Sequence, residues 1–452
     1  MKKSQTRGRL SSHTSIRFAL GAVALIGLVS ASQAQLTQLV SLAYDGAQGN
    51  GDSPLVGAKI SADGRYVVFR SEASNLIGVG NDTNGYSDIF RRDLVSGATE
   101  RISVDHDGGE IFGFDCNNPS VSADGRFVTF GTTADNVVPG DTNGFPDVFV
   151  RDTFLGTTTI ASLADDESFG NERAFHSGIS EDGNLVIFLS YASNLVPGAS
   201  GGQVFVRNLA AGTTTLVSAG PGGVPGDGVS GETQISLSAD GRYACFASNA
   251  TNLVASDTNN QGDIFVRDML LGTTARVSVS STGTQGNGQS FSPTISGTGR
   301  YVTFSSFSTT LVTGDTNGQI DVFIRDTQTN STSRVSVDSS NRQGNGRSGG
   351  SNDGWGACGV SDDGRFVAFQ SSATNLIGAG KDKNNLQDVF LRDRQLGKTT
   401  LVSISTAGKP GNFNSSGPSM SASGLIMFCS YATNLIANDT NGKMDVFVRP
   451  AQ

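Results

Sequence analysis

Tryptophan, histidine and cysteine are scarce in this chain: one, three and four in 452 residues. Only His106 and His176 lie beyond residue 34, too few for a three-histidine metal centre. No helical periodicity follows residue 34, and no G-x-S-x-G elbow and no appended hydrolase domain are expected, which argues against a peptidase. The S-x-D-x-G-x-x-W box of sialidase-like proteins is also absent. The first 34 positions hold no acidic residue at all.

That leader holds Lys2, Lys3, Arg7, Arg9 and Arg17, the apolar run FALGAVALIGLV (18–29), and small residues at Ser32 and Ala34. It reads as a cleaved Sec signal peptide, residues 1–34, with a run too short to span a bilayer comfortably. The expectation is export to the periplasm or beyond, with no membrane insertion once the signal is removed. Residues 35–452 then carry 27 basic against 41 acidic residues, a net charge of −14. Such a surface disfavours nucleic acid and anionic membrane and suits cations. In an exported chain Cys116, Cys245, Cys358 and Cys429 are free to pair. Small buried hydrophobes are the favoured reading, with a Cys116–Cys358 bridge the alternative.

What the chain has in abundance is repetition. SADGRYVVF begins at Ser61, SADGRFVTF at Ser122, SEDGNLVIF at Ser180 and SADGRYACF at Ser238. SGTGRYVTF follows at Ser296, SDDGRFVAF at Ser361 and SASGLIMF at Ser421. Each continues into an apolar hexad such as DVFVRD and then a GTTxxVS-like segment, a period that signals a propeller or solenoid. Asp-Gly between short strands predicts two-residue hairpins, with positive φ at both central positions. Phe69, Phe130, Phe188, Phe246, Phe304, Phe369 and Phe428 form one column. Phe90, Phe149, Phe205, Phe265, Phe323, Phe390 and Phe447 form another, and columns so regular are core.

The chain stops after a third-strand segment, DVFVRP (445–450), while LTQLVSLAYDG (36–46) matches the fourth-strand segments. The fold expected is therefore all-β: a monomeric, seven-bladed β-propeller of four-stranded antiparallel blades over 35–452, closed by the N-terminal strand. These units resemble the TolB-like, WD40-like propeller repeat, with its S-P-D-G turn, Phe-ended strand and I-Y-V-x-D strand. Ala, Glu, Gly or Asp replaces the Pro, a DTNG insert is added, and the α/β domain of TolB is missing.

The DTNG insert is the main candidate site. Its residues are Asp82, Asn84 and Asp88; Asp141, Asn143 and Asp147; Asp257, Asn259 and Asp263; Asp315, Asn317 and Asp321; Asp382, Asn384 and Asp388; and Asp439, Asn441 and Asp445. Copy three has lost it, reading PGASGGQVFVRN (197–208). Oxygen ligands at positions 1, 3 and 7 around a tight turn are how short loops wrap calcium, in extracellular modules with Kd on the order of 10⁻⁴ to 10⁻³ M. The aspartate eleven residues on, such as Asp152, lies about 16 Å beyond Asp147 along a strand and belongs to the next turn instead. A metal-free Asx turn explains Asn-Gly equally well. The second aspartate, six times over, favours a structural Ca2+.

Strand direction puts the DTNG loops and the Gly-rich inter-blade connections on one face, where function is expected. Trp355 lies in the longest connection. His176, with Glu172 and Arg173, sits in the copy without DTNG. The reading is a non-catalytic module binding a protein or glycan ligand on that face. The alternatives are a polysaccharide-active hydrolase or lyase using Glu110, Glu167, Glu172 or Glu232, and a purely structural envelope component.

Overall fold

The computed structural model describes residues 36–54, 58–350, 358–378 and 380–451. Val, Ile, Phe and Thr alternate with turn residues along the chain, and 28 short strands result, with one 3-10 turn at Pro221–Gly223 among the described residues. They form seven four-stranded sheets, each in sequential order except the last. Blade 1 has strands Lys59–Ile60, Tyr66–Ser71, Asp88–Asp93 and Thr99–Arg101. Blades 2 to 6 follow at 117–160, 174–216, 236–276, 290–334 and 359–401. Blade 7 takes Ser415–Met420, Leu425–Ser430 and Asp445–Pro450, and its outer strand is Gln38–Leu39 from the other end of the chain. Gln38 pairs with Val448 and Leu39 with Phe447, antiparallel. This is the closure the sequence predicts.

Each phenylalanine of the second strand faces one on the third, as Phe188 does Phe205, with ring centroids 5.7–6.1 Å apart in all seven blades. The pair packs on aliphatic residues of the preceding blade: Phe188 and Phe205 meet Val148 and Val150, and Phe69 and Phe90 meet Val446 and Val448. One aromatic layer between every two blades is what makes the columns regular. Cys245 and Cys429 take aliphatic positions in these layers. All four cysteines are free and buried, which settles the choice against a bridge.

The hairpins differ from expectation. Ser61 N–H donates to Tyr66 O at 2.8 Å, enclosing four loop residues, and only Gly64 has positive φ, at 75°. Asp63 is instead an Asx residue, accepting from Arg65 N–H at 2.9 Å and from Ser61 Oγ at 2.5 Å. The serine that opens each repeat competes for the loop and lengthens it.

Five of these loops are tied to the neighbouring turn by a two-pronged ion pair. Arg65 Nε and Nη2 donate to Asp93 at 3.0 and 2.7 Å, and Arg126–Asp152, Arg242–Asp268, Arg300–Asp326 and Arg365–Asp393 repeat it. Asp93 also accepts from Val95 and Ser96 N–H, the turn-capping role read from sequence. With its charges so closed, this hairpin face leaves the opposite, loop-rich face to carry variation.

Candidate functional site

The DTNG loops sit between the second and third strands, and the polar contacts of their asparagine recur in every copy. Asn143 Oδ1 accepts from Phe145 N–H at 2.8 Å, the Asx turn. Its amide donates to Asp147 Oδ2 at 2.7 Å and to Gly170 O of the next inter-blade connection at 3.2 Å. All six copies share these three bonds; in blade 7 the carbonyl is Gly49, across the ring closure. The asparagines therefore brace each loop against the following connection, with their oxygens already engaged by a turn N–H. Asp147 Oδ1 accepts from Ser162 Oγ at 2.5 Å, where the serine belongs to the VS of the fourth-strand segment.

Copy three shows the same frame without charge. Gln203 stands at the Asp147 position, accepting from Ser218 Oγ at 2.6 Å and donating to Gly226 O at 2.9 Å. One amide does the work of both the asparagine and the aspartate.

The two aspartates of each DTNG copy share a buried neighbourhood, and the copies divide over what lies beside them. In blade 4, Arg276 Nη1 is 3.0 Å from Asp257 and 3.3 Å from Asp263. In blade 5, Arg334 Nη1 is 3.0 Å from Asp315 and 3.1 Å from Asp321. In blade 1, Arg101 stands 3.7 and 3.6 Å from Asp82 and Asp88 because it also pairs with Glu110 at 2.6 Å. Burial and Asp88 there raise the Asp82 carboxyl to about 6 despite Arg101.

Blades 2, 6 and 7 have no such arginine. The position opposite the third-strand phenylalanine, filled by Arg101, Arg276 and Arg334, is Ile160, Leu401 and Leu39. Asp141 is 5 % exposed and Asp382 4 %, yet Asp141 Oδ1 and both oxygens of Asp382 lack a hydrogen-bond partner. Asp439 Oδ1 is buried without one too, as is Asp315 Oδ1 of blade 5, which has Arg334 at 3.0 Å. Burial raises the carboxyls of Asp141, Asp382 and Asp439, and also Asp147, Asp388 and Asp445, to about 6 for the latter three. In sequence the position of the arginine is the second variable residue of GTTxxVS, where arginine, isoleucine and leucine alternate between copies with no motif to mark them. Among the described residues no three or more His, Cys, Asp or Glu side chains converge, so any cation here would be held by a carboxylate pair.

The loop around His176 gathers a different group. Arg173 lies 4.3 Å over the Tyr191 ring and 5.9 Å over Phe175, whose ring is 5.0 Å from that of His176. Tyr191 donates to Glu232 at 2.8 Å. His176 occupies a bulge of the innermost strand with φ 53°, and burial pushes its imidazole down to about 4. Glu172 turns back on the N–H of Arg173. Phe307 and Tyr431 hold the position of Tyr191 in blades 5 and 7, 44 and 42 % exposed. Trp355 lies outside the described residues.

Of the four glutamates considered for catalysis, Glu110 and Glu167 are ion-paired to Arg101 and Arg207. Burial works against ionisation of Glu110, but bonds from Thr83 and Arg101 prevail and hold it at about 2. His106 pairs with Asp107 on an exposed loop. Against the expectation of none, G-x-S-x-G strings stand at 198–202 and 346–350, but both fall in loops and Ser348 is bonded to Ser371 rather than to a base. The inner strands line a central cavity of about 200 Å³, in which Lys59 is held at about 8 by burial.

No family model matches the chain, and no curated protein matches it in sequence. Solved structures do match. The β-propeller domain of the Trilobed protease from Pyrococcus furiosus aligns at a TM-score of 0.50 and 9% identity, over 89% of this chain and 96% of that one. TolB from Acinetobacter baumannii aligns at 0.39 and 11%, over 76% and 77%. Oligogalacturonate lyase from Vibrio parahaemolyticus aligns at 0.47 and 10%, over 89% and 90%. The chain is a seven-bladed β-propeller. That is the fold its TolB-like repeats implied, and identities this low show the fold alone. No helix among the described residues is long and apolar enough to cross a membrane.

Proposed function

We propose that this propeller is an exported, non-catalytic binding module that takes a glycan on its loop-rich face. The carrying observation is the blade 3 cluster of Arg173, Phe175, Tyr191 and Glu232, in the one blade that has lost DTNG. A sugar ring offers an apolar C–H face and a rim of hydroxyls. Aromatic faces flanked by a guanidinium and a carboxylate match both features. Phe307 and Tyr431, placed alike two and four blades on, extend the aromatic surface round the ring. A protein segment is the other occupant this surface would suit. Catalysis is the weaker reading, since two of the four candidate glutamates are neutralised by arginine.

A glycan array probed with the wild-type protein and with Tyr191→Ala tests this. Binding that falls at least tenfold in the variant, with no shortened oligosaccharides after incubation, supports the reading. Shortened products would make the protein a polysaccharide-active enzyme. An array with no signal would leave a glycan ligand without support.

A further inference from the structure

We infer that the DTNG loops of blades 2, 6 and 7 are calcium sites, while the corresponding loops of blades 1, 4 and 5 carry an arginine in place of the ion. The argument comes from seven copies of one frame in one molecule. Where the aspartate pair is gone, in blade 3, the facing residue is Leu216 and nothing charged remains. Where the pair meets Arg276 or Arg334, a guanidinium nitrogen lies between the two carboxylates at 3.0–3.3 Å from each. Arg276 also donates to the carbonyl of Ser256, the residue before Asp257, so the guanidinium occupies a pocket lined by two carboxylates and a backbone oxygen.

Blades 2, 6 and 7 keep the carboxylates and lose the cation. Asp141 and Asp382 are more than nine-tenths buried with orphaned oxygens. Asp388 and Asp445 each feel the other aspartate of their loop, as Asp147 feels Asp141. Asp135 adds a further negative charge near Asp141, and Asp52 does so near Asp445. Lysines are close by but do not close the gap: Lys443 reaches Asp52 at 4.0 Å rather than Asp439. Two buried carboxylates without a counter-charge are costly, and a hard divalent cation bound by oxygen offsets both charges at once. Backbone carbonyls and water complete such a shell, as is usual for calcium. Ile160, Leu401 and Leu39 hold the register position of the arginine and bring no charge to it.

This inference is independent of any ligand on the loop-rich face. It is tested on the full chain by thermal unfolding in millimolar calcium and in chelator. The expected result is a calcium-dependent rise in melting temperature that Asp141→Asn, Asp382→Asn and Asp439→Asn together abolish. Ile160→Arg, which copies blade 4 into blade 2, should remove about a third of the rise. Arg276→Leu, which copies blade 6 into blade 4, should enlarge it by about a third. The Asn variants are isosteric and keep the reading testable if Ile160→Arg fails to fold. No calcium response at neutral pH would overturn the proposal and leave protons on the carboxylates. So would a response that survives the triple Asn variant, or one that Arg276→Leu leaves unchanged in size.

Discussion

Two sets of loops with the same seven-residue spacing solve one electrostatic problem differently. In blades 4 and 5 the aspartate pair is closed by an arginine from the neighbouring strand of the same blade. In blades 2 and 6 the position of that arginine is an isoleucine or leucine, and the buried oxygens without a hydrogen bond have no guanidinium beside them, whereas Asp315 Oδ1 of blade 5 has Arg334 at 3.0 Å. The asparagine brace, the serine bond and the Asx turn are unchanged between them. The lesson is that the DTNG motif specifies a loop shape, and a residue outside it specifies the charge.

The sharpest way to break the comparison is Arg334→Leu. Removing one partner of a buried ion pair costs about 3–5 kcal/mol, so urea unfolding in chelator should show a loss of this size. Calcium should restore part of it. Next in size is the ion itself. Each open loop near tenfold saturation should add about 1.4 kcal/mol if only the folded state binds, which calorimetry in calcium against chelator would read as a raised melting temperature.

A smaller effect is a pH dependence that both sets share, Asp82 of blade 1 included, so that calcium rather than pH tells them apart. Asp147, Asp388 and Asp445 sit at about 6 in the folded chain, against an ordinary 3.8. A carboxyl raised in this way holds its proton more tightly folded than unfolded. Its contribution to stability is complete below about pH 4 and is lost as pH rises through 6. In chelator, stability attributable to these loops should therefore fall between pH 4 and 6, and calcium should flatten that slope. The hairpin-face aspartates do not interfere. Arg65, Arg126 and Arg300 hold Asp93, Asp152 and Asp326 below the usual range, so those contributions are lost only as pH falls below about 4. Smallest of all, Tyr191→Ala should cost stability about 1 kcal/mol, since it removes a half-buried ring that contacts Arg173, Phe175 and Glu232, while weakening glycan binding.

Much of the fold was legible because one unit is written seven times. The phenylalanine columns, the strand order and the closing strand at Gln38–Leu39 all follow from matching copies to one another. Two-residue hairpins were misjudged because Ser61 and its counterparts bond across the loop and lengthen it. The reactive-looking Glu110 was neutralised by an arginine nine residues before it, a pairing that a linear reading has no means to see.

What the sequence determined by itself was everything that repetition encodes: the period, the blade, the closure and the DTNG frame. A side chain that must do the same thing in every copy leaves a column, and a column is visible without coordinates. Only the tertiary structure decided which aspartates have a counter-charge, because Arg101, Arg276 and Arg334 reach them across a strand pairing, thirteen to nineteen positions along the chain. The same holds for Arg173, Tyr191 and Glu232, which three separate segments bring together. Charge compensation acts through space over a few ångströms, and the distance that matters to it is not the distance along the chain.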